Sequence, residues 1–92
     1  MTDIDRITTA GDISDGLIYH QRQAERLFCA CAFTNPELVR HDCGWLDPKD
    51  FLDTRYGQFW GEVRDGKDQY AAAIEAKVYM ELLAALDEVV SS

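Results

Sequence analysis

The sequence predicts an all-α domain, a small bundle of four to five helices with a long C-terminal helix. Apolar residues recur three and four positions apart over most of the chain from Leu17 onward. Residue types that cap helices precede these runs, and no segment shows the alternation of a strand. With 92 residues, the chain is long enough for one domain with a single small core.

Residues 1–16 are expected to form a flexible acidic leader. They carry four aspartates against one arginine and show no sustained periodicity. The helical domain is therefore placed at residues 17–92. Its first helix should run from Leu17 to about Thr34, because Asn35 can cap and Pro36 fits the first position of a second helix.

Three further helix starts follow. Asp47 can cap a short segment that opens with Pro48, and Asp53 can cap an amphipathic aromatic helix that ends at Gly66. Asp68 or Gln69 starts the last helix, which we expect to be the longest. Its apolar stripe consists of Ala71, Ile74, Val78, Leu82, Leu86 and Val89.

Two sets of apolar residues are assigned from these patterns. The predicted core consists of Leu27, Phe28, Leu38, Trp45, Leu46, Phe51, Phe59, Trp60, Ile74 and Val78. The last helix has more apolar width than one neighbour requires, so it is also expected to bind a partner. That predicted partner interface consists of Leu82, Leu86, Val89 and Val90. The alternative is that a small core covers this helix on two sides.

Charge and composition exclude several classes of function. Nine basic residues against seventeen acidic ones give a net charge of −8, which disfavours direct nucleic-acid binding. No apolar run is long enough to span a membrane, and the N-terminus lacks a secretory signal. Three cysteines cannot all pair within one chain, which fits a reducing compartment. We therefore expect a cytoplasmic protein.

The segment Gly61–Asp68 has the spacing of a phosphate-binding loop as far as Lys67. That loop needs Ser or Thr after the lysine and a strand before the first glycine. Here Asp68 follows Lys67, and the residues before Gly61 have a helical pattern. Two acidic residues, Glu62 and Asp65, also stand where phosphate charge would have to lie. ATP binding is therefore not expected here, and no cofactor is assigned.

A metal site could in principle use Cys29, Cys31, His41 and Cys43. However, residues two apart on a helix point about 200° away from each other, so Cys29 and Cys31 cannot converge on one ion unless the helix breaks. We expect these thiols to be small apolar side chains rather than ligands. No arrangement around His20 or His41 fixes a catalytic set, and no enzymatic activity is expected.

Three segments carry a resemblance to a known family. They are Gln23–Cys31, Asn35–Leu38 and Leu46–Trp60, and their order resembles the N-terminal domain of bacterial and phage replicative DNA helicases of the DnaB type. The resemblance covers about residues 18 to 64. Tyr56 stands where the family often has His, and Leu52 where it often has Tyr.

The resemblance implies a non-catalytic helical domain that takes part in DNA replication. Such a domain forms homodimeric or higher homo-oligomeric contacts, builds a collar on the hexameric helicase and docks primase or a helicase loader. The ATPase domain of that family, which holds ATP and magnesium, has no counterpart in these 92 residues. The chain is accordingly expected to be a fragment of a longer helicase or a free-standing relative.

Two alternatives remain open at this stage. The first is a free-standing prophage or accessory protein of the same fold that binds a host replication factor. The second is a small metal-binding protein built on the cysteines and His41.

Overall fold

Five α-helices and one short 3₁₀ turn form the described part of the chain. The computed structural model describes the backbone of residues 3–91 and the side chains of residues 19–88. The helices are α1 (Asp3–Thr34), α2 (Pro36–Cys43), α3 (Thr54–Arg64), α4 (Gln69–Glu75) and α5 (Tyr79–Ser91), and the 3₁₀ turn spans Pro48–Asp50. Residues 3–91 contain no strand, so the all-α prediction is confirmed.

Helix α1 begins earlier than Leu17, the residue at which the sequence predicted its start. It has 32 residues and begins at Asp3, so residues 3–16 are helical, while residues 1 and 2 lie outside the described part. The first proline of the sequence is Pro36, and a glycine inside a helix costs only about 1 kcal/mol. Gly11 and Gly16 are therefore tolerated within a continuous helix.

The predicted helix starts at the three aspartates are confirmed. Each carboxylate accepts a hydrogen bond from a backbone N–H in the first turn that follows it, which satisfies a donor that has no partner within the helix. Asp47 accepts from Lys49 N at 2.9 Å, Asp53 from Arg55 N at 2.9 Å, and Asp68 from Ala71 N at 3.0 Å. Asn35 precedes α2, but its side chain makes no capping hydrogen bond.

The single long C-terminal helix that the sequence predicted is divided into α4 and α5. Lys77 has a φ of +63°, a left-handed conformation that ends α4. Its N–H donates to Ile74 O at 3.1 Å, and Val78 N donates to Ala73 O at 3.0 Å. These two bonds form the same C-terminal motif in which glycine usually supplies the left-handed residue, as Gly66 does after α3. A lysine there gives no sequence signal for the break.

The core lies where α1 packs against α3, α4 and α5. Aromatic side chains of α3 fill its centre, and small side chains of α1 and α4 let the backbones approach closely. The buried apolar residues are Cys29, Ala30, Ala32, Phe33, Phe51, Tyr56, Phe59, Trp60, Val63, Ala72, Ala73, Ala76, Val78, Leu82 and Ala85. Phe28 closes one side of the core, with its ring centroid 5.0 Å from that of Trp60 in an edge-on arrangement.

The structure corrects part of the predicted core. Phe51, Phe59, Trp60 and Val78 are buried as expected, and Phe28 and Leu46 are half-buried and pack against them. Leu27, Leu38, Trp45 and Ile74 are exposed instead, with Ile74 at 64% and Trp45 at 78% of their full accessible surface. For Leu27 and Ile74 the reason is rotational, because α1 and α4 turn faces rich in small residues inward and place these two side chains on the opposite side. Leu38 lies on α2, none of whose residues is buried, and Trp45 lies in the turn that follows α2.

Candidate protein-interaction surfaces

The partner interface predicted on α5 is wrong for Leu82. Its side chain is fully buried, and Leu86 is half-buried against the core, because α5 packs on α1 through this face. The side chains of Val89 and Val90 lie outside the described residues. Among the described residues of α5, the large apolar side chains that are exposed are Met80 and Leu83, and Leu83 lies at the edge of the predicted stripe, three positions before Leu86.

Several large apolar side chains are exposed in the part of the chain whose side chains are described. They are Tyr19, Leu27, Leu38, Trp45, Leu52, Tyr70, Ile74, Met80 and Leu83. Single exposed apolar residues are normal on protein surfaces, whereas grouped ones indicate binding sites. Residues spaced three, four or seven apart on one helix share a side, so Tyr70 and Ile74 are grouped on α4, and Met80 and Leu83 on α5. Leu38 on α2 and Trp45, two residues after the end of α2, have the same seven-residue spacing.

We define the α2 surface as Leu38, His41 and Trp45, which are spaced three and four residues apart. Gly44 keeps helical backbone angles (φ −59°, ψ −18°), so residue 45 continues the register of α2. The indole N–H of Trp45 donates to Asp42 O at 3.1 Å. The ring is therefore oriented by a hydrogen bond while most of its surface faces solvent.

The segment that carries Trp45 is fastened to the end of α3. The anchoring bonds run from Arg40 Nε to Val63 O at 2.5 Å, from Trp60 Nε1 to Leu46 O at 2.9 Å, and from Arg64 Nη1 to Leu46 O at 3.0 Å. Two side chains of α3, the buried Trp60 and the half-buried Arg64, thus bind the carbonyl oxygen of Leu46, the residue that follows Trp45. The α2 surface consequently rests on the core rather than on a free loop.

Glu25 is a buried carboxylate on the core side of α1, with 5% of its surface exposed. Its Oε2 accepts hydrogen bonds from Leu52 N at 2.6 Å and from Gln21 Nε2 at 3.1 Å, and its Oε1 accepts one from Asp53 N at 3.0 Å. The carboxylate thus ties the chain before α3 to α1. The sequence contained a signal for it, since Glu25 lies four residues before the buried Cys29 on the same helical stripe.

A cavity of about 180 Å³ opens beside Glu25. Ala24 and Phe28 of α1 form one wall, and Leu46 and Phe51 form the other. Gln21, Glu25 and Asp50 supply its polar edges. The phenyl rings of Phe28 and Phe51 meet there with centroids 5.9 Å apart. We call this site the Glu25 cavity.

A polar network joins α3 to α5 at the other side of the same loop. Arg55 donates to Asp53 Oδ2 at 3.0 Å and to Glu81 Oε1 at 2.7 Å, and the Tyr56 hydroxyl donates to Glu81 Oε2 at 2.5 Å. The hydrogen bond from Arg55 lowers the pKa of Asp53. Burial raises the pKa of Tyr56, and Glu81 adds to that effect. The network fixes the positions of α3 and α5 relative to each other.

The four residues considered as metal ligands do not converge. Cys29 is buried and Cys31 exposed, and within the described side chains no three histidine, cysteine or acidic residues form a group that could hold a metal ion. Cys29 Sγ donates to Tyr56 O at 3.8 Å. Burial raises the pKa of the Cys29 thiol, and the negative charges of Glu25 and Asp53 raise it further.

The segment Gly61–Asp68 is not a phosphate-binding loop in the structure. Gly61 lies inside α3, and Lys67 forms ion pairs with Glu62 and Glu75. A phosphate loop instead follows a strand and leaves its lysine free for the ligand.

Among the described residues, none of the helices has the length and apolar character needed to cross a membrane. Comparison of the chain with protein families, with curated proteins and with solved structures found no match.

Proposed function

We propose that this chain is a non-catalytic interaction module in DNA replication, which associates with itself and docks primase or a helicase loader. The resemblance of Leu46–Trp60 to the N-terminal domain of DnaB-type helicases suggests the setting. The observation that carries the interaction role is Trp45, whose oriented indole is 78% exposed on the α2 surface.

The exposed indole supports the proposal because of the energy that a partner would gain by covering it. Removing roughly 150 Å² of aromatic surface from water is worth about 4 kcal/mol. Tryptophan is also among the residues that most often dominate the energy of protein interfaces. Its firm attachment to α3 through Leu46 means that little side-chain and loop entropy is lost when a partner binds.

Sedimentation and direct binding measurements test this proposal. We expect concentration-dependent self-association at micromolar protein and binding to the cognate primase or loader. The Trp45→Ser variant should weaken one or both by about 2 kcal/mol or more. Met80→Ser is the matched control, because Met80 is comparably exposed but lies on α5.

Two results would contradict the proposal. The first is a chain that stays monomeric up to high micromolar concentration and binds neither primase nor loader. The second is equal weakening by Trp45→Ser and Met80→Ser, which would show that the α2 surface has no special part in binding.

A further inference from the structure

We propose that the Glu25 cavity receives one apolar side chain from a positively charged segment of a partner protein. This inference rests on the proposed function, in that the partner is a protein, and it adds a second contact point and the chemistry of the partner. The cavity is distinct from the α2 surface, whose exposed residues do not line it.

The size of the cavity limits its occupant. An engineered apolar cavity of about 150 Å³ holds a benzene molecule, whereas pockets for drug-sized ligands and cofactors measure roughly 300–1,000 Å³. At about 180 Å³, the Glu25 cavity accommodates a single leucine-sized or phenyl-sized group. A nucleotide is too large for it.

The walls of the cavity are held in place before any partner arrives. Glu25 fixes Leu52 and Asp53 through their backbone N–H groups, and so positions the neighbouring Phe51 wall. On the other side, Phe28 is fixed by its edge-on contact with Trp60. A preformed apolar site loses little entropy when it is filled.

The charge at the cavity selects the partner. Glu25 and Asp50 line it and no lysine or arginine does, while Lys49 lines a separate hollow with Gly57 and Gly61. The exposed carboxylate of Asp50 forms no ion pair within the described residues. A second copy of the chain would bring a further net charge of −8, so a basic segment is favoured over self-association at this site.

Three short peptides test the inference on the full chain. The probe is acetyl-Lys-Lys-Leu-Lys-Lys-amide, and the controls replace its lysines by glutamates or its leucine by serine. We expect the probe alone to give saturable shifts of the backbone amide signals of Leu52 and Asp53 by NMR, with Kd on the order of 1 mM. Shifts of equal size with either control peptide would overturn the proposal.

Two variants locate the binding. Ala24→Leu places a larger side chain at the cavity wall and should weaken the probe about tenfold or more, whereas Ala84→Leu on the exposed side of α5 should not. Asp50→Asn should weaken binding of the probe about threefold, whereas Asp87→Asn should leave its binding unchanged. Unchanged binding in Ala24→Leu would also overturn the proposal.

The experiment separates this inference from the proposed function. Specific probe binding by a chain that neither self-associates nor binds primase or loader would refute the proposed function and leave the cavity assignment standing. A chain that binds its replication partner but shows no leucine-dependent binding of the probe would refute the cavity assignment alone.

Discussion

The Tyr56 hydroxyl donates a hydrogen bond to Glu81 Oε2 at 2.5 Å and so connects α3 to α5. Arg55 binds the other oxygen of the same carboxylate at 2.7 Å. Burial by itself would raise the pKa of Glu81, but the hydrogen bonds from Tyr56 and Arg55 outweigh it, and the pKa lies below the ordinary value of 4.5. Both helices therefore depend on an ionised Glu81 for this contact.

Acid should weaken the domain through this network. Glu81 and Asp53 both have lowered pKa values in the folded chain, so the unfolded chain binds more protons as the pH falls. Their stabilising contribution is fully present above about pH 4.5 and is lost as the pH falls through the folded pKa values. Thermal unfolding measured between pH 7 and pH 3 should show a falling Tm below pH 4.5.

The Glu81→Gln variant is the control for that measurement. A glutamine cannot titrate, so the Tm of this variant should fall less steeply with acid than that of the parent chain. Equal slopes for the two proteins would show that other carboxylates cause the acid sensitivity.

Removal of the buried Glu25 carboxylate should destabilise the domain. Glu25→Ala leaves the N–H groups of Leu52 and Asp53 without their acceptor, at an expected cost of about 2–4 kcal/mol in the free energy of unfolding. Glu25→Gln keeps one acceptor oxygen and should cost less. Urea unfolding checks both, with Asp87→Ala on exposed α5 expected to change stability by less than about 0.5 kcal/mol.

The two tryptophans should respond to substitution in opposite ways. Trp60→Ala creates a core cavity and should cost about 3–5 kcal/mol, a large part of a small domain's stability. Trp45→Ala should change the free energy of unfolding by less than about 0.5 kcal/mol, because the indole is mostly exposed. Chemical unfolding of both variants measures the difference, and similar losses would contradict the assigned positions of the two rings.

Lys77→Gly should stabilise the turn between α4 and α5. A residue other than glycine in the left-handed conformation costs about 1 kcal/mol, and the wider freedom of glycine in the unfolded chain takes back part of that gain. We therefore expect a rise in Tm for Lys77→Gly and a fall for Lys77→Val. A rise in the valine variant would contradict the left-handed conformation.

Local sequence chemistry predicted the helix starts well because each depends on one short-range hydrogen bond. Asp47, Asp53 and Asp68 were identified from their own side chains and the residues next to them. The aromatic residues of α3 were placed in the core for a similar reason, since their spacing defines one strong apolar side.

For the weakly amphipathic helices, the sequence did not predict which side faces the core. Ile74 is larger than its neighbours, yet α4 buries Ala72, Ala73 and Ala76, because small side chains allow closer backbone contact with the core. Leu82 shows the opposite case. It was predicted to face a partner, but its side of α5 packs on the core and the side chain is fully buried. Which side packs inward is decided by residues far away in the chain.

The opposite environments of Cys29 and Cys31, two positions apart on α1, give the chain a pair of natural labelling probes. A thiol reagent should modify Cys31 at once, whereas Cys29 should react only in molecules whose bundle has transiently opened. Mass spectrometry of the peptide that contains Cys29 separates its modification from that of the half-buried Cys43, and would then follow the opening of the folded protein without any substitution.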